Sequence, residues 1–156
     1  MIAEVICIGT EILLGDIVNT NGAFLARELA ALGIDVYHQS VVGDNAQRLN
    51  ESLTLALERS DIVLTTGGLG PTYDDLTKKT IADHFGVGLE AHAPSVKKIE
   101  SLYQRLGRKM TPNNLLQAQV PAGSTVFLND TGLAPGVAVE KDGKTVIMMP
   151  GPPSEM

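Results

Sequence analysis

The chain has 156 residues and a formal net charge of −6. That is enough for one domain around one sizeable core, and the wrong sign for a broad electrostatic grip on nucleic acid or an anionic membrane. With no Trp, few aromatics and a single cysteine, Cys7, the composition excludes an internal disulfide, argues against stacking platforms for single-stranded nucleic acid, and suits a reducing, cytoplasmic setting; no leader-like opening and no apolar run near about 18 residues points to export or a membrane span.

Val5 to Ile8 is an unbroken apolar run that ends at Gly9, the pattern of a strand buried on both faces. After a loop, Asn21 to Leu32 carries Phe24, Leu25, Leu29 and Leu32 on one side and stops at Gly33, which predicts a helix. Val36 to Val42 is a second strand, more polar and so nearer an edge. Ala46 to Arg59 sets Leu49, Leu53, Ala56 and Leu57 at helical spacing. Asp61 to Leu64 is the third strand. Leu76 to Phe85 is a short helix ending at Gly86, and Ser95 to Leu106 is another, with Val96, Ile99, Leu102, Tyr103 and Leu106 on one stripe. Asn113 to Gln119 predicts a helical turn, and Val126 to Leu128 a short strand. Val137 to Glu140 and Thr145 to Met149 flank Asp142-Gly143, a pair that favours a two-residue hairpin turn because positive φ is needed at its centre. The early alternation of strand and helix implies parallel strands with right-handed crossovers. The expected fold class is α/β, a three-layer α/β/α sandwich whose sheet is mostly parallel with one antiparallel strand. No repeat or linker divides the chain, so residues 1–156 read as a single domain.

The chemically versatile residues follow strands. Gly9, Thr10 and Glu11 follow the first, Gly43 and Asp44 the second, Thr66 to Asp75 the third, and Pro150-Gly151-Pro152-Pro153 the last. In an open parallel sheet these carboxyl ends share one edge, where such folds bind ligands. Glycines let backbone N–H groups point at an anion, and neighbouring carboxylates can hold a hydrated divalent cation that offsets phosphate charge. Each loop also has a plainer reading. Gly67, Gly68 and Gly70 could form only a tight turn. Asp74 or Asp75 could cap the next helix, Asp44-Asn45-Ala46-Gln47 resembles a capping box, and Glu11 could be a solvated charge. Their convergence on one edge favours the ligand reading.

Other groups read as structural. His38, His84 and His92 lack metal-ligand spacing. Cys7 sits in an apolar run that disfavours its thiolate. Lys97, Lys98, Arg105, Arg108 and Lys109 mostly oppose the apolar stripe of their helix, as a solvated face would, with a phosphate-facing patch as the other reading. The glycine loop fits neither a Walker motif nor a dinucleotide fingerprint.

The segments GTEILLGDIVNTN, VVGDN, TTGGLGPTYDDLT and MMPGPPSEM together resemble the N-terminal domain of the competence/damage-inducible CinA family, within the molybdopterin-binding (MoaB/Mog-like) superfamily. The resemblance runs over essentially the whole chain, and it implies that fold. CinA-type domains are associated with metal-dependent hydrolysis of ADP-ribose to AMP and ribose 5-phosphate, whereas Mog-like relatives bind molybdopterin and transfer an adenylyl group to its phosphate. Both chemistries concern a phosphoanhydride. The two aspartates implicated in the Mog-like enzymes map to Asp44 and Asp75. On this basis the leading expectation is a nucleotide-sugar pyrophosphatase. Asp44, Asp75 and Asp74 are its catalytic candidates, and Asp44 and Asp75 hold Mg²⁺ or a similar ion. Gly9, Thr10, Glu11, Gly67, Gly68, Leu69, Gly70, Pro71, Thr72, Pro150, Gly151 and Pro153 contact the substrate. The alternatives are a molybdopterin-binding or adenylyl-transfer domain and a non-catalytic nucleotide module of a CinA-type deamidase. The ligand is expected to be a nucleotide or pterin phosphate, and the resemblance implies a homo-oligomer. Met156 falls inside the motif that a further helix follows in the family, so the chain reads as a C-terminally shortened domain to which deamidase activity is not assigned.

Overall fold

Apolar runs that follow one another through helical crossovers stack side by side in the computed structural model, which describes residues 1–73 and 75–156. Asp74, one of the expected catalytic carboxylates, lies outside the described residues.

The first strand, β1, spans Ile2–Ile8 and is buried along nearly its whole length. A short helix α1 (Thr10–Leu14) and a longer α2 (Thr20–Ala31) lead to β2 (Asp35–Val42). Helix α3 (Ala46–Arg59) leads to β3 (Ile62–Thr66), and α4 (Thr77–Phe85) to a three-residue strand β4 (Leu89–Ala91). Helix α5 (Ala93–Arg105) and a 3-10 helix (Pro112–Ala118) precede β5 (Gln119–Pro121), β6 (Thr125–Phe127), β7 (Gly136–Lys141) and β8 (Lys144–Met149).

Six strands form the main sheet in the order β2-β1-β3-β8-β7-β6. Strands β2, β1, β3 and β8 are mutually parallel, and β7 runs antiparallel to both β8 and β6. Among the described residues β7 is therefore the one strand of this sheet that opposes the rest. Asp142 and Gly143 take φ of 53° and 74° at the tip of the β7–β8 hairpin, the turn that an Asp-Gly pair favours. Strand β2 is an edge strand, as its polar pattern implies. A separate antiparallel pair joins β4 to β5; strands this short, one of them exposed throughout, leave no alternation to read.

Side-chain alternation on the pleat divides the core. Ile6 and Ile8 of β1 pack with Leu49, Leu53, Ala56 and Leu57 of α3 and with Ile81 and Phe85 of α4. Ala3, Val5 and Cys7 point the other way, onto Leu25 and Leu29 of α2. The result is helix, sheet and helix in three layers. Glu4 is the polar exception in β1. It is 2% exposed, and its carboxylate accepts two hydrogen bonds of 2.8 Å from the Arg59 guanidinium at the end of α3, the bidentate pairing that makes a buried carboxylate tolerable.

Register places the site. Ile8 pairs with Val42, Cys7 with Thr66, and Thr66 with Met149. Four parallel strands thus finish level with one another, and the loops after each begin side by side.

Candidate functional site

Those four loops enclose a cavity of about 380 Å³, within the roughly 300–1,000 Å³ of small-molecule sites. Of the residues expected to bind ligand, Gly9, Glu11, Asp44, Gly67, Gly68, Leu69, Gly70, Thr72, Asp75, Pro150 and Gly151 line it. Thr10, Pro71 and Pro153 do not. The lining adds Ile8, Gln117, Ala134, Pro152 and Glu155.

Glycine is required at the base of the third loop. Gly67 has φ 106° and Gly68 φ 67°, and a Cβ at either would collide with the Ile8 carbonyl or the Thr77 hydroxyl. Only glycine meets both conditions, a left-handed backbone and this close approach. The loop is fixed to its surroundings rather than left open. The Gly67 amide donates to Met149 O at 3.0 Å, so it is not available to an anion. Thr77 Oγ1 donates to Gly67 O at 2.9 Å and the Thr77 amide to Gly68 O at 3.3 Å. The first turn of α4 is therefore closed by the loop itself. The amides of Gly68, Leu69 and Gly70 have no acceptor among the described residues, while the Leu69 side chain is buried in the core. The cradle available to an anion is Gly68 to Gly70, one residue shorter than expected.

Asp44 and Asp75 are seated by the same device. Asp44 Oδ2 accepts from the Thr10 amide and the Thr10 hydroxyl, both at 2.9 Å. Asp75 Oδ2 accepts from the Thr72 amide at 2.9 Å and from the Thr72 hydroxyl. Each carboxylate keeps its other oxygen without a partner among the described residues. Neither aspartate caps a helix. Asn45 caps α3, taking the Arg48 amide at 3.0 Å, and Leu76 stands at the cap of α4 without a side-chain bond. This settles one of the plainer readings: Asp44 is not the capping residue that Asp44-Asn45-Ala46-Gln47 suggests. The Thr72 hydroxyl, on a residue expected to contact the substrate, donates to Asp75. Thr10 likewise orients Asp44 from behind.

The last loop is tied down by Asn21, a buried residue in the first turn of α2. Its Nδ2 donates to Thr66 Oγ1 at 2.8 Å and to Gly151 O at 2.6 Å, and Thr66 Oγ1 donates to Pro150 O at 2.8 Å. One amide thus links a helix, a strand end and the fourth loop.

The charge in the cavity has one sign. Among the described residues Glu11, Asp44, Asp75 and Glu155 line it, and no Lys, Arg or His does. Behind the wall, the buried Lys78 ammonium donates to Leu116 O at 2.8 Å and Gln117 O at 3.0 Å. Burial pushes its pKa from 10.5 down to about 8, partly offset by attraction to Asp75. A phosphate entering this cavity meets amides and carboxylates, so a cation is the natural counterpart. Unpartnered oxygens of Asp44 and Asp75 are hard donors of the kind Mg²⁺ accepts alongside water and phosphate oxygens. The fit is partial, since no three of His, Cys, Asp and Glu are grouped to hold a metal ion among the described residues.

The remaining candidates are structural here. Cys7 is core, and burial pushes its thiol up against weaker opposing hydrogen bonds from Asn19 and Gly22. His84 Nδ1 and His92 Nδ1 pair with Asn50 and Ser95, each at 2.8 Å. Among the described residues no helix is long and apolar enough to cross a membrane. Glu155 lay inside the MMPGPPSEM motif and could have been singled out; Gln117, on the 3-10 helix, carries no comparable signal.

Comparison with known proteins places this geometry. Residues 4–156 match the family described as "Probable molybdopterin binding domain". A "Putative competence-damage inducible protein" of Clostridioides difficile (strain 630) is 58% identical over 156 residues, covering 100% of this chain and 37% of the relative. A protein of the same description from Caldicellulosiruptor bescii is 52% identical, covering 100% and 38%. The chain thus spans under two fifths of the length of these curated relatives. The crystal structure of the protein CinA, of unknown function, from Thermoplasma acidophilum superimposes with a TM-score of 0.90 at 38% identity, over 99% of this chain and 90% of that one. The molybdopterin biosynthesis enzyme MoaB of Thermus thermophilus superimposes with a TM-score of 0.64 at 19% identity, over 99% and 83%, a likeness of fold. The chain belongs to the molybdopterin-binding-domain family, in its CinA-like branch.

Proposed function

We propose that the domain binds a phosphorylated pterin of the molybdopterin class in the glycine-lined cavity and supports adenylyl transfer to its phosphate from an adenosine triphosphate co-substrate, whose α–β anhydride breaks as pyrophosphate leaves. One observation carries the reading. Two threonine-seated carboxylates, Asp44 and Asp75, and the residues Gly68 to Gly70, whose amides have no acceptor among the described residues, line a single cavity. The family match over residues 4–156 favours the pterin over the nucleotide sugar that leads the reading of the sequence. In this proposal the Gly68–Gly70 amides receive phosphate oxygens. Asp44 and Asp75 would hold a divalent cation, and Thr10 and Thr72 keep their carboxylates turned inward. Such a cation, when bound, neutralises phosphate charge and polarises a phosphoryl oxygen.

Hydrolysis of ADP-ribose-type diphosphates is the second reading: ADP-ribose and water would give AMP and ribose 5-phosphate. It is favoured by Glu11 and Glu155 on the same cavity, carboxylates that could orient an attacking water and that transfer to a phosphate does not need. Anaerobic calorimetry with molybdopterin and with ADP-ribose, each with and without Mg²⁺ and followed by product analysis, separates the readings. Preference for the pterin supports the proposal, and AMP release supports hydrolysis. Metal-independent nucleotide binding without product supports a non-catalytic module instead. Asp75→Asn should weaken Mg²⁺-dependent binding or turnover by about 100-fold with the thermal midpoint preserved. An unchanged variant removes Asp75 from the site.

A further inference from the structure

A second hollow of about 370 Å³ lies beside the first and shares Gln117 and Glu155 with it. Its character is different. Lys98 and Arg105 project into it from α5, with Leu102 between them on the same face, the i, i+4, i+7 spacing of one helix side. Of the five basic residues on and after this helix, these two line the hollow; Lys97, Arg108 and Lys109 do not. Neither forms an ion pair with a carboxylate among the described residues, although Asp130 and Glu155 also line the space.

The loop across from α5 is built, not slack. Asn129 Oδ1 accepts from the Thr131 amide at 3.0 Å and the Gly132 amide at 2.9 Å. Lys98 Nζ donates to Gly132 O at 2.8 Å and to Asn129 O. Two of its three N–H groups are thereby fixed, and the third has no acceptor among the described residues. The Arg105 guanidinium has none for any of its donors. One half-buried, oriented ammonium and one free guanidinium suit a tetrahedral oxyanion. The neighbouring cavity has carboxylates and no cationic side chain among the described residues, so the two hollows have complementary tasks.

We propose that the α5 hollow is an anion subsite in which Lys98 and Arg105 hold a phosphate-type group at the far end of the ligand whose reacting phosphate lies in the first cavity. The subsite needs no metal ion, since its positive charge comes from the protein. The placement of the second group rests on the reading of the first cavity as a phosphate-ester site; the anion subsite itself does not. On this link the ligand is a phosphate ester with two separate anionic centres, which a diphosphate carrying a further phosphomonoester supplies and a pterin with a single phosphate does not.

The test begins with inorganic phosphate, titrated into the isotope-labelled chain at constant ionic strength without divalent cations and followed by amide NMR. Saturable shifts at Thr131 and Gly132 are expected. Arg105→Gln should weaken them by about tenfold, and Lys109→Gln should leave them unchanged. Absent shifts, or equal effects of the two variants, overturn the subsite. A second arm uses ADP-ribose and ADP-ribose 2′-phosphate, which share a diphosphate and differ by one phosphomonoester. The phosphorylated compound should displace inorganic phosphate from the subsite and ADP-ribose should not. If neither displaces it, the site takes free phosphate and the proposed link to the ligand falls. Loss of pterin binding and of AMP release with the phosphate shifts intact would remove the proposed function alone.

Discussion

Asp44 and Asp75 show how little of a residue's role is local. Each stands beside a residue that does or could begin a helix, and each is turned to a threonine instead. Thr72 is close in sequence to Asp75, so that pairing is an ordinary turn contact. Thr10 reaches Asp44 only because β1 and β2 end level. Lys78 offers a sharper residue-scale test. Its ammonium is buried and its pKa is lowered from 10.5 to about 8. Below about pH 8 the lysine is charged in both folded and unfolded chains, and the cost of burying that charge is present in full. Between about 8 and 10.5 the unfolded chain holds more proton, so stability rises with pH through this window. Relative to Lys78→Met, the wild-type chain should gain up to roughly 3 kcal/mol between pH 7.5 and 10.5, measured by urea unfolding across the range. A constant difference between the two proteins would mean that the ammonium is not desolvated.

Elements with strong periodicity were legible. Helix α3 fell on Ala46–Arg59 as its spacing predicts, and its four buried residues Leu49, Leu53, Ala56 and Leu57 are those of the predicted stripe. The cap was misread by one residue, because Asp44 and Asn45 are both good caps and the sequence does not say which backbone turns into the helix. That choice predicts a double dissociation. Asn45→Ala should cost about 1 kcal/mol of stability in urea and leave ligand affinity intact. Asp44→Ala should leave α3 capped and lose affinity. The reverse pattern would restore Asp44 as the cap. The sequence predicts only loop where α1 forms. That helix has five residues, none buried, and no side-chain cap, so it offers neither a stripe nor a start signal. Strands β4 (Leu-Glu-Ala) and β5 (Gln-Val-Pro) go unpredicted because Glu, Ala and Pro disfavour strands, whereas the equally short β6 is Thr-Val-Phe.

At the scale of the whole molecule, the parallel strands bring four distant loops to one edge, and Asn21 holds three of the pieces together. Asn21→Ala would leave the Gly151 carbonyl without its donor and cut the fourth loop from α2, with the Thr66 hydroxyl on Pro150 O as the remaining side-chain tie. We expect a loss of about 1–3 kcal/mol together with weaker ligand binding. Leu53→Ala, which opens a cavity in the core away from the site, should cost about 2–5 kcal/mol and leave affinity nearly unchanged at temperatures where it stays folded. Equal affinity losses in the two variants would mean that Asn21 acts through stability alone. The sequence by itself determined the α/β class, a mostly parallel sheet with one opposing strand, the hairpin turn, and the loops that carry the glycines and carboxylates. Local patterns suffice for these, because hydrophobic periodicity and turn chemistry act over a few residues. Only the tertiary structure decided which amide of the glycine loop is already bonded, which threonine seats which aspartate, and that Lys98 and Arg105 share a hollow with Glu155. Apart from the local Thr72–Asp75 turn, those facts depend on contacts between segments 30 or more residues apart, and such contacts are fixed by strand register and layer packing rather than by any local run of the chain.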